Sequence, residues 1–260
     1  MIRILITCIG GALSKDIIFC LKNSQAFDYY VVGVDSNKNL EGSFYVDRFY
    51  NVVKSKDSNY FNEILTIVKK ENLKFILSSS DDESSLFSDK KEVLDSLGIN
   101  LIAPEKYIQN IIRNKAMTYD VLKSHGIRVP DFMVVKDYNT FCMALDKYNY
   151  PIETLVVKPT TGRGGRGLFV LEGEKNNSDW LGTGKRETLV KNHMDIEIIG
   201  ETLFSKEEEL MIMPALNTPA FDVDILKINK SDYATIVRKR NNPAGIPFEG
   251  NVIVSKTNLE

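Results

Sequence analysis

The first hundred residues alternate between two hydrophobic periods, and this alternation restricts the fold more than any other feature of the sequence. Runs rich in β-branched residues predict buried strands at Ile2–Cys8, Tyr29–Asp35, Lys74–Ser80 and Ile99–Ala103. Apolar residues at helical spacing predict helices beginning at Ser14 and covering Asp57–Asn72 and Leu86–Leu97. Such alternation predicts a parallel sheet covered by helices, with ligands bound beyond the carboxyl ends of its strands.

The texture of the sequence changes after residue 105, where we place a domain boundary. Residues 1–105 are then a Rossmann-like unit, and residues 106–260 an α+β unit. In the second unit the patterns predict helices over Ile108–His125 and Asn139–Lys147. They predict strands over Thr154–Lys158, Leu210–Pro214, Phe221–Lys227 and Tyr233–Arg240.

Composition excludes several classes of function. A formal net charge of −2 argues against bulk attraction to nucleic acid. No apolar run reaches the roughly 20 residues of a membrane span. The 3 cysteines form no C-x-x-C pair, which favours a reducing compartment, and the 2 histidines are far apart, which argues against a histidine-rich metal site. We therefore expect a cytoplasmic protein with neither nucleic acid nor membrane as a partner.

A glycine-rich loop, "VVKPTTGRGGRG", spans Val156–Gly167. Its glycines match G-x-G-x-x-G, but a dinucleotide fingerprint requires a helix after the loop, and here the strand-like "LFVLE" follows. A strand–loop–strand hairpin is instead typical of a flap whose backbone N–H groups bind phosphates. A plain surface loop is the competing interpretation. Lys158 favours the flap, because Pro159 holds it in extended geometry beside the loop.

Two further segments accompany the loop in a definite order. "RNKAMTYDVLKSHGIRVP" (Arg113–Pro130) precedes it, and "LMIMPALNTPAFDVDIL" (Leu210–Leu226) follows it. Together the three motifs resemble those of the ATP-grasp superfamily, and most closely the ATP-binding units of the carbamoyl phosphate synthase large subunit and biotin carboxylase. The resemblance implies an α/β protein, with a Rossmann-like pre-ATP-grasp domain over 1–105 and an ATP-grasp domain over 106–260 that is incomplete at its C-terminus.

The resemblance implies a role for particular residues in binding ATP phosphates. Lys115 would contact the phosphates from the start of its helix, and Lys158 would bind the α- and β-phosphates. The glycine loop would close over them, through Gly162, Gly164, Gly165, Arg166 and Gly167. Arg238 and Arg240 would act in catalysis on the γ-phosphate or an acyl-phosphate, although a solvated edge strand explains them equally well.

The nucleoside would be bound by a hinge comprising Met213, Pro214, Ala215 and Leu216. In the family, adenine is recognised by one backbone carbonyl and by the N–H two residues later. Pro214 lacks an N–H but keeps its carbonyl, and Leu216 keeps its N–H, so this chemistry tolerates the proline. Asp222 would accept hydrogen bonds from the ribose, with Asp224 on the same strand face. Outside this context both aspartates would be read as a solvated strand face.

The implied activity is that of an ATP-dependent carboxylate–amine (or thiol) ligase, which acts through an acyl-phosphate on small-molecule substrates. The cofactors would be ATP and Mg²⁺, with metal ligands that are unknown and expected beyond residue 260, and a homodimer is allowed. A non-catalytic nucleotide-binding or regulatory module is the main alternative. A third hypothesis, an NAD(P)-dependent oxidoreductase, depends only on Gly10, Gly11 and Asp35 in the first unit.

Overall fold

A computed structural model describes residues 1–162, 167–174, 188–190, 196, 200, 204, 209–216, 219–227, 232–241 and 251–257. The chain forms two compact units, Met1–Ile112 and Arg113–Glu260. The sheet of the first unit is wholly parallel, whereas strand pairs in the second are antiparallel except for one. This confirms the predicted fold class, a Rossmann-like sheet followed by an α+β unit.

The first unit contains one five-stranded sheet in the order β3-β2-β1-β4-β5. Its strands are β1 (Ile2–Thr7), β2 (Tyr29–Asp35), β3 (Arg48–Asn51), β4 (Phe75–Leu77) and β5 (Asn100–Ile102). Its helices are α1 (Ser14–Lys22), α2 (Tyr60–Lys70), α3 (Asp81–Asp89), α4 (Lys91–Ser96) and α5 (Lys106–Arg113), with a 3₁₀ turn at Glu41–Phe44. The central strand β1 pairs with β2 on one side and with β4 on the other. The carboxyl ends of β1 and β4 therefore flank the point where the strand order reverses.

A buried carboxylate joins three elements near that point. The carboxylate of Glu83, in the first turn of α3, accepts hydrogen bonds from the Thr7 hydroxyl at 2.6 Å and from the Tyr60 hydroxyl. All three side chains are buried. Burial is the main reason that the pKa of Tyr60 lies above its ordinary value, with the charge of Glu83 adding to it. The hydrogen bonds satisfy both carboxylate oxygens, so Glu83 fixes the ends of β1, α2 and α3 to one another.

Two predicted helices are each divided in the structure. The segment predicted as Leu86–Leu97 begins earlier and forms α3 and α4. The segment predicted as Ile108–His125 breaks at Asn114, whose backbone is extended (φ −104°, ψ 112°). The Asn114 side chain accepts a hydrogen bond from the Met117 N–H at 3.1 Å, so it caps the helix that follows. Strand β3 was not predicted, because four residues are too few to establish a period.

In its described part the second unit contains two sheets and, among its helical residues, two helices with described bounds. The helices are α6 (Lys115–Ser124) and α7 (Tyr138–Lys147). The first sheet has the order β6-β10-β7-β8-β9, from β6 (Met133–Val135), β7 (Leu155–Pro159), β8 (Phe169–Leu171), β9 (Thr188–Val190) and β10 (Leu210–Pro214). The second has the order β11-β12-β13, from β11 (Phe221–Lys227), β12 (Tyr233–Lys239) and β13 (Val252–Thr257).

The five-stranded sheet has apolar side chains on both faces. Successive side chains of a strand point to opposite faces, so one strand can contribute apolar side chains to both. One face joins α7 in a buried cluster that includes Phe141, Leu155, Val157, Leu210 and Ile212. The other face joins α6 in a smaller cluster built on Ala116, Met211 and Met213, with Tyr119, Phe132, Val134 and Val156 packed against it. Lys158 is in register with Met211 and two residues from Val156, so it belongs to the α6 face.

Candidate functional site

Three hydrogen bonds attach the start of α6 to the end of β7. The backbone N–H of Lys115 donates to the Thr160 carbonyl at 2.8 Å. The ammonium of Lys115 donates to the carbonyls of Pro159 and Gly162, each at 3.0 Å. The Asn114 cap fixes where α6 begins and thereby places Lys115 in its first turn. The structure thus brings Lys115 to the segment that enters the glycine loop, whereas its contact with ATP phosphates stays a prediction.

Lys158 is a partly desolvated cation at the end of β7. Its ammonium lies 5.8 Å from the centroid of the Tyr119 ring, which presents the π-face that a cation favours. The pKa of Lys158 lies below its ordinary value, chiefly because burial disfavours the charged form and secondly because of the positive charge of Lys115. The pKa of Lys115 is also lowered by burial. An anion placed between these ammonium groups would relieve both effects.

Glycine is required at both described ends of the loop. Gly162 has φ of +106° and Gly167 has φ of +72°, values that other L-residues rarely adopt. A Cβ atom on Gly167 would also lie 3.1 Å from Cγ of Pro159. The predicted loop residues Gly164, Gly165 and Arg166 lie outside the described residues.

The predicted hinge continues from β10. Ala215 donates its N–H to the Thr154 carbonyl at 2.9 Å, which directs residue 215 towards β7. By strand alternation the Pro214 carbonyl faces the opposite side, where the pairing of β6 ends at Ile212. Pro214 therefore occupies a position at which the ladder needs no N–H donor. Met213 is buried on the α6 face. Recognition of adenine by Pro214 and Leu216 stays a prediction.

The three-stranded sheet joins the predicted ribose ligand and the predicted catalytic arginines in ion pairs. Arg240 donates to Asp222 through Nε at 2.9 Å and Nη2 at 2.7 Å, and Asn251 donates to the same carboxylate at 3.2 Å. Arg238 donates to Asp224 through Nε at 2.8 Å and Nη2 at 3.1 Å. Both pairs run diagonally across the ladder of β11 and β12, with Arg240 one residue beyond the end of β12. The sequence predicted that the two aspartates share a strand face and that the two arginines share a strand face. It did not predict that these are the same face of the sheet.

The described residues do not fit a magnesium site. Among them there is no group of three or more His, Cys, Asp or Glu side chains that could hold a metal ion. Asp222 and Asp224 lie beside the predicted catalytic arginines, and each is engaged by one of those arginines. In the same described part, no helix is long and apolar enough to cross a membrane.

The first-unit residues behind the oxidoreductase hypothesis have local partners. The carboxylate of Asp35 accepts hydrogen bonds from the backbone N–H groups of Gly10 and Asn37, each at 2.9 Å. A Cβ atom on Gly10 would lie 3.1 Å from that carboxylate. A dinucleotide ribose would have to displace these contacts, which argues against the oxidoreductase hypothesis.

Two family models match successive parts of the chain. The PylC-like N-terminal domain matches residues 4–102, and the sugar-transfer associated ATP-grasp domain matches residues 101–215. No curated protein matches the sequence. The second match includes Lys115, Lys158, the glycine loop and the start of the hinge, whereas the three-stranded sheet lies beyond it.

Solved structures with similar folds include several ligases and carboxylases. N5-carboxyaminoimidazole synthetase from Staphylococcus aureus, complexed with ADP, is 17% identical with a TM-score of 0.64, over 94% of this chain and 56% of that one. The biotin carboxylase domain of 2-oxoglutarate carboxylase from Hydrogenobacter thermophilus is 15% identical with a TM-score of 0.62, over 91% and 49%. L-amino acid ligase from Bacillus licheniformis is 14% identical with a TM-score of 0.62, over 99% and 56%.

The chain thus spans about half the length of the structures it matches. Structures with so little sequence identity to this chain show a shared fold only. The family models add a similarity in sequence. The family match places residues 101–215 in the ATP-grasp superfamily, and the PylC-like match over residues 4–102 and the shared fold agree with this assignment.

Proposed function

We propose that the second unit binds ATP against the α6 face of the five-stranded sheet. The observation that carries this proposal is Lys158, a partly desolvated cation next to Lys115 at the entrance to a glycine loop. Among the described residues no carboxylate forms an ion pair with Lys158, so a polyphosphate would supply the negative charge, and the first turn of α6 adds the positive end of its dipole. Met211 and Met213 provide an apolar strand beside the phosphate-binding end, as the flat face of a purine requires.

We further propose that the protein, in its full-length form, is an ATP-dependent ligase. A carboxylate oxygen of one substrate would attack the γ-phosphorus, and ADP would leave. An amine or thiol would then attack the acyl carbon, and inorganic phosphate would leave. Lys115 and Lys158 would hold the phosphates during the first step by charge and position, which is the main contribution a protein makes to phosphoryl transfer.

The solved structures support this reaction class from outside the chain. The S. aureus synthetase was solved with ADP, and the H. thermophilus carboxylase with MgADP and bicarbonate. The B. licheniformis protein is named as an L-amino acid ligase. These names support a nucleotide-dependent ligase with small-molecule substrates. The closer likeness to carbamoyl phosphate synthase, the need for Mg²⁺ and a homodimer remain parts of the proposal.

The role proposed for the arginines requires a rearrangement. Arg240 and Arg238 would turn from Asp222 and Asp224 towards the transferred phosphoryl group, which guanidinium groups bind in a bidentate manner. Asp222 would then be released to accept hydrogen bonds from the ribose. Ligand binding would thus replace two internal ion pairs by contacts with the nucleotide.

Thermal unfolding with and without ATP tests the binding proposal. ATP, with Mg²⁺ present, is expected to raise the melting temperature of the wild-type protein, and Lys158→Met is expected to abolish that increase. Lys123→Met is the matched control, because Lys123 is an exposed lysine on α6. If Lys158→Met keeps the wild-type response to ATP, the site is not where we place it.

The second candidate function is a nucleotide-binding module without catalysis. The observation in its favour is that both arginines are already neutralised by aspartates. Hydroxylamine distinguishes the two functions, because it converts an acyl-phosphate into a hydroxamate. A panel of amino acids and small acids is expected to give ADP and hydroxamate together in a ligase. ATP binding with no ADP formed from any carboxylate would favour the module.

A further inference from the structure

The ammonium of Lys115 has two neighbours that the role in phosphate binding does not explain. It donates to the carbonyls of Pro159 and Gly162, which are three residues apart where the chain leaves β7. We call the segment Pro159–Gly162 the loop root. A lysine whose only task was to meet phosphates would gain nothing from two backbone carbonyls on a neighbouring segment.

The loop root is built with tight local requirements. Its far end, Gly162, has a left-handed backbone that glycine alone adopts readily. Its near end, Pro159, lies so close to Gly167 that a Cβ atom on Gly167 would lie 3.1 Å from the proline ring. The Thr160 N–H donates to the Glu209 carbonyl at 2.9 Å, just before β10 begins. The root is thus fixed to β10 on one side and to α6, through Lys115, on the other.

We propose that Lys115 is a positioning residue, whose ammonium holds the loop root in place before any nucleotide is bound. An ammonium has three N–H donors, and the two carbonyls use two of them. No described residue accepts from the third, so it can donate to a phosphate oxygen. Lys115 then connects the phosphate to the root of the loop through one atom, Nζ. This last step rests on the proposed ATP binding, whereas the positioning of the root does not.

Hydrogen exchange of the Thr160 amide tests the positioning role without nucleotide. Lys115→Met removes the charge and all donors, and Lys115→Gln removes the charge but keeps two amide N–H donors. Loss of two charge-assisted hydrogen bonds is expected to raise the exchange rate of Thr160 by about tenfold or more in Lys115→Met. Lys115→Gln is expected to exchange more slowly than Lys115→Met, with amides in α7 unchanged in both. Lys123→Met is expected to match the wild type.

Two results would overturn the inference. One is Thr160 exchange in Lys115→Met that stays within about twofold of the wild type. The other is Lys115→Arg that exchanges as fast as Lys115→Met, since neither the charge nor the donors at this position would then hold the loop root. If Lys115→Met also loosens α7, Lys115→Arg decides the matter. Arginine keeps both donors and charge, so Thr160 exchange must return to within about threefold of the wild type.

Adding ATP separates this inference from the proposed function. If both hold, ATP slows Thr160 exchange in the wild type and leaves it unchanged in Lys158→Met, because that variant keeps Lys115 but loses nucleotide binding. If ATP changes nothing in either protein while Lys115→Met still accelerates exchange, the positioning role stands and the proposed ATP site fails. If ATP protects Thr160 equally in wild type and Lys115→Met, the connection through Nζ is wrong.

Discussion

The two sheets of the second unit treat their charged residues in opposite ways. On the five-stranded sheet, Lys158 sits on a face packed against α6, and the influences that lower its pKa are burial and the charge of Lys115. On the three-stranded sheet, Asp222, Asp224, Arg238 and Arg240 lie on one face and neutralise one another in two pairs. The first sheet carries a positive charge that a bound anion could neutralise. On the second sheet the charges of these four residues already neutralise one another within the protein.

The difference separates binding from stability. An uncompensated, partly buried cation lowers stability but offers a large gain to an anion that neutralises it. A paired arginine and aspartate contribute to stability, and a ligand must first break the pair. Substitution of Lys158 should therefore weaken ligand binding without weakening the fold. Substitution of the aspartates should weaken the fold first.

Lys158→Met gives the largest expected effect. Removing one charged contact to a phosphate in a water-poor site is expected to weaken ATP binding by about 100-fold, while the free energy of unfolding stays equal or rises. Calorimetric titration with ATP and urea unfolding measure the two quantities, with Lys123→Met as control. A variant that loses stability as well as affinity would mean that the charge of Lys158 is compensated in the unliganded protein.

Asp222→Ala tests the other sheet. The Asp222 side chain is only 17% exposed, and its removal leaves Arg240 without its carboxylate. We expect a loss of about 2 kcal/mol in the free energy of unfolding, below the range for fully buried pairs because both groups retain some contact with water.

A double-mutant cycle with Arg240→Gln isolates the pair. The loss caused by both substitutions together is expected to be smaller than the sum of the two single losses. Additive losses would mean that Arg240 and Asp222 contribute independently, and the three-stranded sheet would then not be self-neutralised.

The sequence could predict the strands that carry these charged residues, but not how the charges pair. Periodicity located β7, β10, β11 and β12, and the order of three motifs indicated the family. The pairing of Asp222 with Arg240 depends on the antiparallel register of β11 and β12, which sets Asp222 opposite Arg238 and Arg240 diagonal to it. No local pattern specifies that register across the intervening segment.

The two hydrogen bonds from the Lys115 ammonium to the loop root were also out of reach of the sequence. A lysine in the first turn of a helix is not a usual donor to backbone carbonyls 44 and 47 residues away. Asn114 carried the one local signal for it. As a preferred N-cap residue it indicated that a helix starts at Lys115, but the hydrophobic pattern ran through it and favoured a single longer helix.

The affinity for ATP is expected to fall at alkaline pH. The pKa of Lys158 lies below that of an ordinary lysine, so its ammonium deprotonates at a lower pH than exposed lysines do. The facing groups are Lys115, whose pKa is also lowered, and Tyr119, whose pKa is raised by burial and which stays neutral over the same range. Phosphates are fully ionised at these pH values, so the loss comes from the protein.

Titrations between pH 7.5 and about 10 measure this effect, with an expected fall in affinity of up to tenfold per unit above the lowered pKa. Stability should change in the opposite sense. The unfolded state binds more protons at Lys158 than the folded state does, so this group makes the unliganded protein more stable as the pH rises towards 10.5. Constant affinity across this range would mean that Lys158 is solvated and ordinary.

Asp224→Ala is expected to have the smallest effect, because this pair differs from its neighbour mainly in exposure. The Asp224 side chain is 56% exposed, compared with 17% for Asp222, although both accept two N–H groups from an arginine. Water and salt screen an exposed pair, so we expect a loss below about 0.5 kcal/mol that disappears in high salt. Urea unfolding at low and high salt measures it beside Asp222→Ala, which should keep most of its effect. Equal losses for the two aspartates would mean that the sheet as a whole is shielded from solvent, and that burial does not distinguish the two pairs.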